Sequence, residues 1–118
     1  MAVSDFLLKY ISIESFYKKL LIAEKESGGE KLKEKDKKQL AVQAGDVKRV
    51  LRYYELEFDD ALIDRIFGSN DRNYIDCSVK KLRNRLVHKV NDNVLKVVIQ
   101  RYESINDDLN QFINLFES

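Results

Sequence analysis

The chain has 118 residues, with 21 Lys and Arg against 20 Asp and Glu, one His, one Cys, four Gly and no Pro. That length makes one domain, and a single Cys with a single His supplies neither a disulfide framework nor a four-ligand zinc site. The scarcity of turn residues excludes a β-rich fold, and a 44% hydrophobic content in periodic blocks excludes a disordered chain.

Phe6, Tyr10, Ile13, Tyr17 and Leu20 fall at helical spacing, with Ser4 as N-cap and Gly28-Gly29 just past the end. Leu7, Leu8, Ile11, Phe16 and Leu21 widen this surface toward more than one neighbour. Residues 30–38 are Lys-rich, with Leu32 as their one apolar side chain, and read as a solvated connector. Asp36 and Gln39 make a capping-box-like start. Leu40, Ala44, Val47, Leu51, Tyr54 and Phe58 then predict one helix, with Gly45 as its kink point.

Asp59 caps a short helix presenting Leu62, Ile63, Ile66 and Phe67, stopped by Gly68. After the polar break Ser69-Asn70-Asp71, a fourth helix shows Ile75, Val79, Leu82 and Leu86. Asn91-Asp92-Asn93 interrupts again and offers a cap. The last helix carries Leu95, Val98, Tyr102, Ile105, Leu109, Phe112 and Phe116, with Ile99 and Ile113 broadening its stripe. The predicted architecture is all-α, a four- to five-helix up-and-down bundle forming one domain over residues 1–118. The longest apolar run, Leu20 to Ala23, is far short of a membrane span, and residues 1–5 lack a signal-peptide pattern. A soluble, cytoplasmic protein is expected.

The net charge of +1 averages over segregated segments. No acid lies between Asp76 and Asp92, where Lys80, Lys81, Arg83, Arg85 and Lys89 gather with His88. Glu55 to Asp64 holds acids and no base. A basic cluster around the one imidazole suits phosphate handling, because it offers counter-charge and a group of the type that titrates near neutrality. It equally suits a solvated helix face balanced by acids elsewhere.

Within Leu82-Arg83-Asn84-Arg85-Leu86-Val87-His88, an Arg is followed by a polar residue and then by a His five positions after the Arg. Placed before the final helix, this resembles the motif of the HEPN superfamily, small α-helical domains that are often ribonucleases of toxin, anti-phage and RNA-processing systems. The resemblance covers the motif closely and the helical layout loosely. Five helical residues turn through about 500°, which leaves Arg83 and His88 roughly 140° apart. Either the helix breaks near Val87, or the site combines groups from two copies. HEPN domains resemble the second case, pairing with both motifs at a shared cleft.

The resemblance implies metal-independent RNA cleavage without a cofactor, by a homodimer, and possible pairing with an antitoxin or regulatory protein. His88 would move protons at the ribose 2′-hydroxyl or the leaving oxygen. Arg83 would hold the scissile phosphate, and Asn84 would orient phosphate or His. Lys81, Arg85 and Lys89 would track the RNA backbone. One departure stands out. Where a nucleotidyltransferase-paired branch of the family carries a Tyr two residues after the His, this chain has Val90.

The alternatives stay open at this level. The alternative for Arg83 is a structural arginine paired with an acid such as Asp76 or Glu103. Cys77 reads as a small core or boundary residue, and Tyr53, Tyr54, Tyr74 and Tyr102 read as core in preference to base-stacking platforms. A non-catalytic helical module that binds RNA or a protein partner, as an adaptor or antitoxin, would use the same basic surface.

Overall fold

In the computed structural model, which describes residues 2–38, 42–68, 77–88 and 92–116, the first apolar stripe becomes one face of a single long helix, α1 (Ala2–Ser27). Phe6, Tyr10, Ile13, Tyr17 and Leu21 are buried along it, while Leu8, Ile11 and Phe16 are exposed. Ser4 lies inside the helix and does not cap it. The end is the predicted one. Gly29 N–H donates to the Glu26 carbonyl (3.0 Å) and Glu30 N–H to the Lys25 carbonyl (3.2 Å), with Gly29 at φ 97°. This is a Schellman turn, whose left-handed residue favours the absence of a Cβ.

The Lys-rich connector contains one short helix, α2 (Glu34–Lys38). Asp36 sits at its third position and accepts from the Lys33 N–H (3.3 Å), the backward-reaching half of a capping box. Gln39 and Leu40 lie outside the described residues. Helix α3 (Ala44–Tyr53) starts later than its apolar spacing predicts, so Gly45 is near its first turn and marks no kink. It also stops earlier. Glu55 takes φ 58°, its N–H donates to the Arg52 carbonyl (3.0 Å), and Leu56 N–H donates to the Leu51 carbonyl (2.9 Å). The turn at Gly29 thus recurs with a glutamate in the left-handed place. Leu56 packs back on the core, which compensates the steric cost of about 1–2 kcal/mol. Tyr53 and Tyr54 therefore stand exposed at the helix end, edge to face with ring centres 5.0 Å apart.

Helix α4 (Asp60–Phe67) is capped as predicted, with the Asp59 carboxylate accepting from the Ala61 N–H (3.0 Å). Gly68 ends it by close approach: a Cβ there would lie 2.3 Å from the Asp64 carbonyl oxygen. Helix α5 (Val79–His88) begins after Ser78, and Ile75 lies outside the described residues. Helix α6 (Asp92–Asn114) takes Asp92 and Asn93 into its first turn and buries Val94, Val98, Ile105, Leu109 and Phe112.

These six helices of the described residues form an all-α bundle with one core. Helix α1 packs on α3 and α6, and α4 packs on α3, α5 and α6. Glu24–Arg49 (3.2 Å) and Ser27–Tyr53 (3.0 Å) advance together along both helices, so α1 and α3 run parallel and the connector carries the chain back between them. Phe67 is the centre of the core, with the rings of Tyr10, Tyr17 and Phe112 at 6.4, 6.1 and 5.3 Å. Truncating a fully buried Phe costs about 3–5 kcal/mol, so Phe67→Ala would remove a large part of the stability of a small domain.

Candidate functional site

Helix α5 owes its start to Ser78. The Ser78 hydroxyl accepts from the Lys81 N–H (3.2 Å) and donates to the Gly68 carbonyl (2.7 Å), so one side chain caps α5 and ties it to the end of α4. Val79, Leu82 and Leu86 bury one face. The other faces carry Lys80, Lys81, Arg83, Arg85 and His88 with no acid among them. The helix runs unbroken to His88, which removes the local break near Val87 as a way of swinging the imidazole toward Arg83.

Arg83 is held on three sides. Its Nη2 donates to Glu14 Oε1 (2.7 Å), its Nη1 donates to Asn84 Oδ1 (3.1 Å), and its guanidinium carbon lies 5.2 Å from the centre of the Tyr10 ring. Both members of the ion pair keep 20% of their side-chain surface in solvent. A short charge-assisted bond, an amide and an aromatic face together fix the plane of the fork. The Nε–H is buried and has no hydrogen-bond partner among the described residues. Burial, reinforced by the nearby Glu14 carboxylate, pushes the Tyr10 phenol well above the ordinary tyrosine range. Tyr10 is therefore a neutral platform under the cation.

Glu14 is the member of this cluster that spacing along the motif does not reveal. It comes from α1, and of the acids offered by the sequence, Asp76 lies outside the described residues and Glu103 is exposed on α6. A signal was present nonetheless. Glu14 follows Tyr10 by four residues and precedes Tyr17 by three, which places a carboxylate on the flank of a buried stripe. A charge in that position needs a partner.

His88 is in the opposite condition. It is exposed at the last position of α5, about 140° around the axis from Arg83. One chain does not bring Arg83 and His88 to a common point. Asn84 is beside Arg83, as its sequence position requires. Lys81 and Arg85 are half-buried on α5, with Arg85 already engaged by a partner, while Lys89 and Val90 lie outside the described residues.

The remaining candidates are structural. Cys77 is 1% exposed and belongs to the core, where Arg101 approaches its sulfur (3.8 Å). Tyr102 is half-buried, Tyr74 lies outside the described residues, and Tyr53 and Tyr54 leave the core reading because α3 ends at them. Of the acids between Glu55 and Asp64, Asp59 caps α4, while Asp60 and Asp64 grip Lys48 at 3.3 and 2.9 Å. Among the described residues no three His, Cys, Asp or Glu side chains group as a metal site, and no helix is long and apolar enough to cross a membrane. Comparison with protein-family models, with curated proteins and with solved structures finds no match to this chain.

Proposed function

We propose that the chain is a metal-independent endoribonuclease of HEPN type, a cytoplasmic effector whose site is completed by two copies. The observation that carries this reading is the fixed guanidinium of Arg83 on a helix that has no acid and ends in the one imidazole. A preorganised fork needs no reorganisation when charge develops on a phosphate, which is the condition for electrostatic catalysis. Asn84 and Glu14 occupy one Nη each and leave further N–H groups on the fork.

The chemistry is internal transesterification. One His88 accepts the proton of the 2′-hydroxyl as its oxygen attacks phosphorus, and the bond to the 5′-oxygen breaks. The second copy's His88 protonates that leaving oxygen. The products are a 2′,3′-cyclic phosphate and a 5′-hydroxyl, and DNA, lacking the nucleophile, is left whole. Large apolar side chains left in solvent support assembly of two copies: Leu8 and Ile11 on α1, Val87 on α5 and Ile99 on α6.

Digestion of RNA and matched DNA in EDTA by the wild type, Arg83→Ala and His88→Ala tests the proposal. Cleavage of RNA alone, lost in both variants, is expected; equal cleavage by all three proteins overturns it. A second reading is favoured by the Glu14–Arg83 pair, because a neutralised, partly buried arginine is also how structural arginines are kept. In that reading α5 is the binding surface of a non-catalytic RNA- or protein-binding module, an adaptor or antitoxin. Salt-sensitive RNA binding without scission, unchanged in His88→Ala, selects it.

A further inference from the structure

At the opposite end of α5 from His88, a pocket of about 350 Å³ is lined by Lys80, Lys81, Phe67, Gln43, Ala44 and Gly45. It lies between the first turns of α5 and α3. Several cations elsewhere in the chain are matched. Lys9 reaches Asn106 and Asn110, Lys48 reaches Asp60 and Asp64, and Arg65 reaches Asp108. Lys80 and Lys81 share one pocket, and neither ammonium has a hydrogen-bond or ion-pair partner among the described residues. Two like charges thus line one half-buried pocket, with no carboxylate in contact with either among the described residues. Burial first and the Lys81 charge second lower the Lys80 pKa, and the Glu14 and Asp46 carboxylates offset part of that lowering.

The opposite wall offers donors. Gln43 occupies the N-cap position of α3 without a side-chain cap, and the first intrahelical bond is Val47 N–H to the Gln43 carbonyl (3.0 Å). The amides before Val47 make no hydrogen bond among the described residues, and the space above Gly45 is open for at least 4 Å. Asp46 on the same turn is engaged with Arg49 (3.6 Å).

We propose that this pocket is an anion site that takes a phosphate group between the Lys80 and Lys81 ammoniums and the Ala44–Gly45 backbone. The phosphate is either a backbone phosphate of RNA lying along α5 or that of a free mononucleotide. The first source rests on the RNA-processing reading above, while the site itself does not. The pocket is eight residues from His88, about 12 Å along the helix axis, so a strand held here passes the candidate catalytic end at a fixed register.

The test uses the whole chain and three probes: inorganic phosphate, a mononucleotide and a short single-stranded RNA. Each is titrated while the Gly45 and Asp46 amide resonances are followed. Lys80→Gln with Lys81→Gln removes the charge. Gly45→Glu instead sets a carboxylate into the open space, and as a better helix former it keeps the fold. Lys18→Gln is the distant control. The site predicts saturable shifts at Gly45 with all three probes, weakened about tenfold or more by the lysine pair and by Gly45→Glu but not by Lys18→Gln. With RNA, the lysine pair also lowers the slope of log affinity against log salt by about 1.4. Loss of phosphate and mononucleotide binding with RNA affinity unchanged keeps the pocket and assigns it to a free nucleotide. Absence of saturable shifts with inorganic phosphate, or equal shifts in the variants, overturns the proposal whether or not the protein cleaves RNA.

Discussion

Arg83 and His88 are five residues apart on one helix, yet they occupy opposite physical conditions. Arg83 is bonded to Glu14 and Asn84, rests on Tyr10, and keeps 20% of its side-chain surface. His88 is the exposed final residue of α5. The first group belongs as much to the fold as to any chemistry, and the second belongs to the surface. This contrast teaches that α5 separates a side chain held by the fold from one left to the surface. It also means that one chain does not bring the two groups together, since an unbroken helix holds them apart.

Substitutions test that separation, beginning with the largest effect. His88→Ala is expected to lower RNA cleavage by about 10²–10⁴-fold, as loss of a general acid or base does, while moving stability by no more than about 0.5 kcal/mol. Cleavage rates beside thermal unfolding curves check both halves. Arg83→Ala removes the proposed phosphate clamp and leaves the Glu14 carboxylate without its guanidinium. It is expected to abolish cleavage and to cost about 1–3 kcal/mol in urea unfolding. A stability loss at His88 comparable to that at Arg83 would erase the contrast.

Glu14→Gln sharpens it. The isosteric amide keeps a hydrogen bond to Arg83 without the charge, so a loss of about 1 kcal/mol is expected. Cleavage should fall less than in Arg83→Ala if Glu14 positions the fork and does not touch RNA. The smallest effect is expected away from the site. Glu55→Gly relieves a left-handed residue, and it should raise stability by up to about 1 kcal/mol with cleavage unchanged.

The long amphipathic helices were legible because their stripes are regular. Tyr10, Tyr17 and Phe112 were identified as core by spacing alone, and Asp59 and Gly28-Gly29 marked real boundaries. The end of α3 was not legible. Its stop uses a glutamate in a conformation that sequence rules assign to glycine, and the packing of Leu56 that permits this is tertiary. Its start was obscured for a similar reason, because Gln43 offers no side-chain cap to announce it. At the site, spacing along one helix was enough to separate Arg83 from His88. It could not name Glu14, which is 69 residues away in sequence and reaches Arg83 only once the folded bundle brings their side chains together.

The central claim is that two copies complete one site, and subunit mixing tests it most directly. Wild-type and His88→Ala proteins are mixed in equal amounts, exchanged and assayed on RNA in EDTA. Random pairing leaves about a quarter of the dimers with both His88 side chains, so a fall to about a quarter of the rate of the same total of wild-type protein is predicted. A fall only to about one half, as when each copy works alone, contradicts the claim.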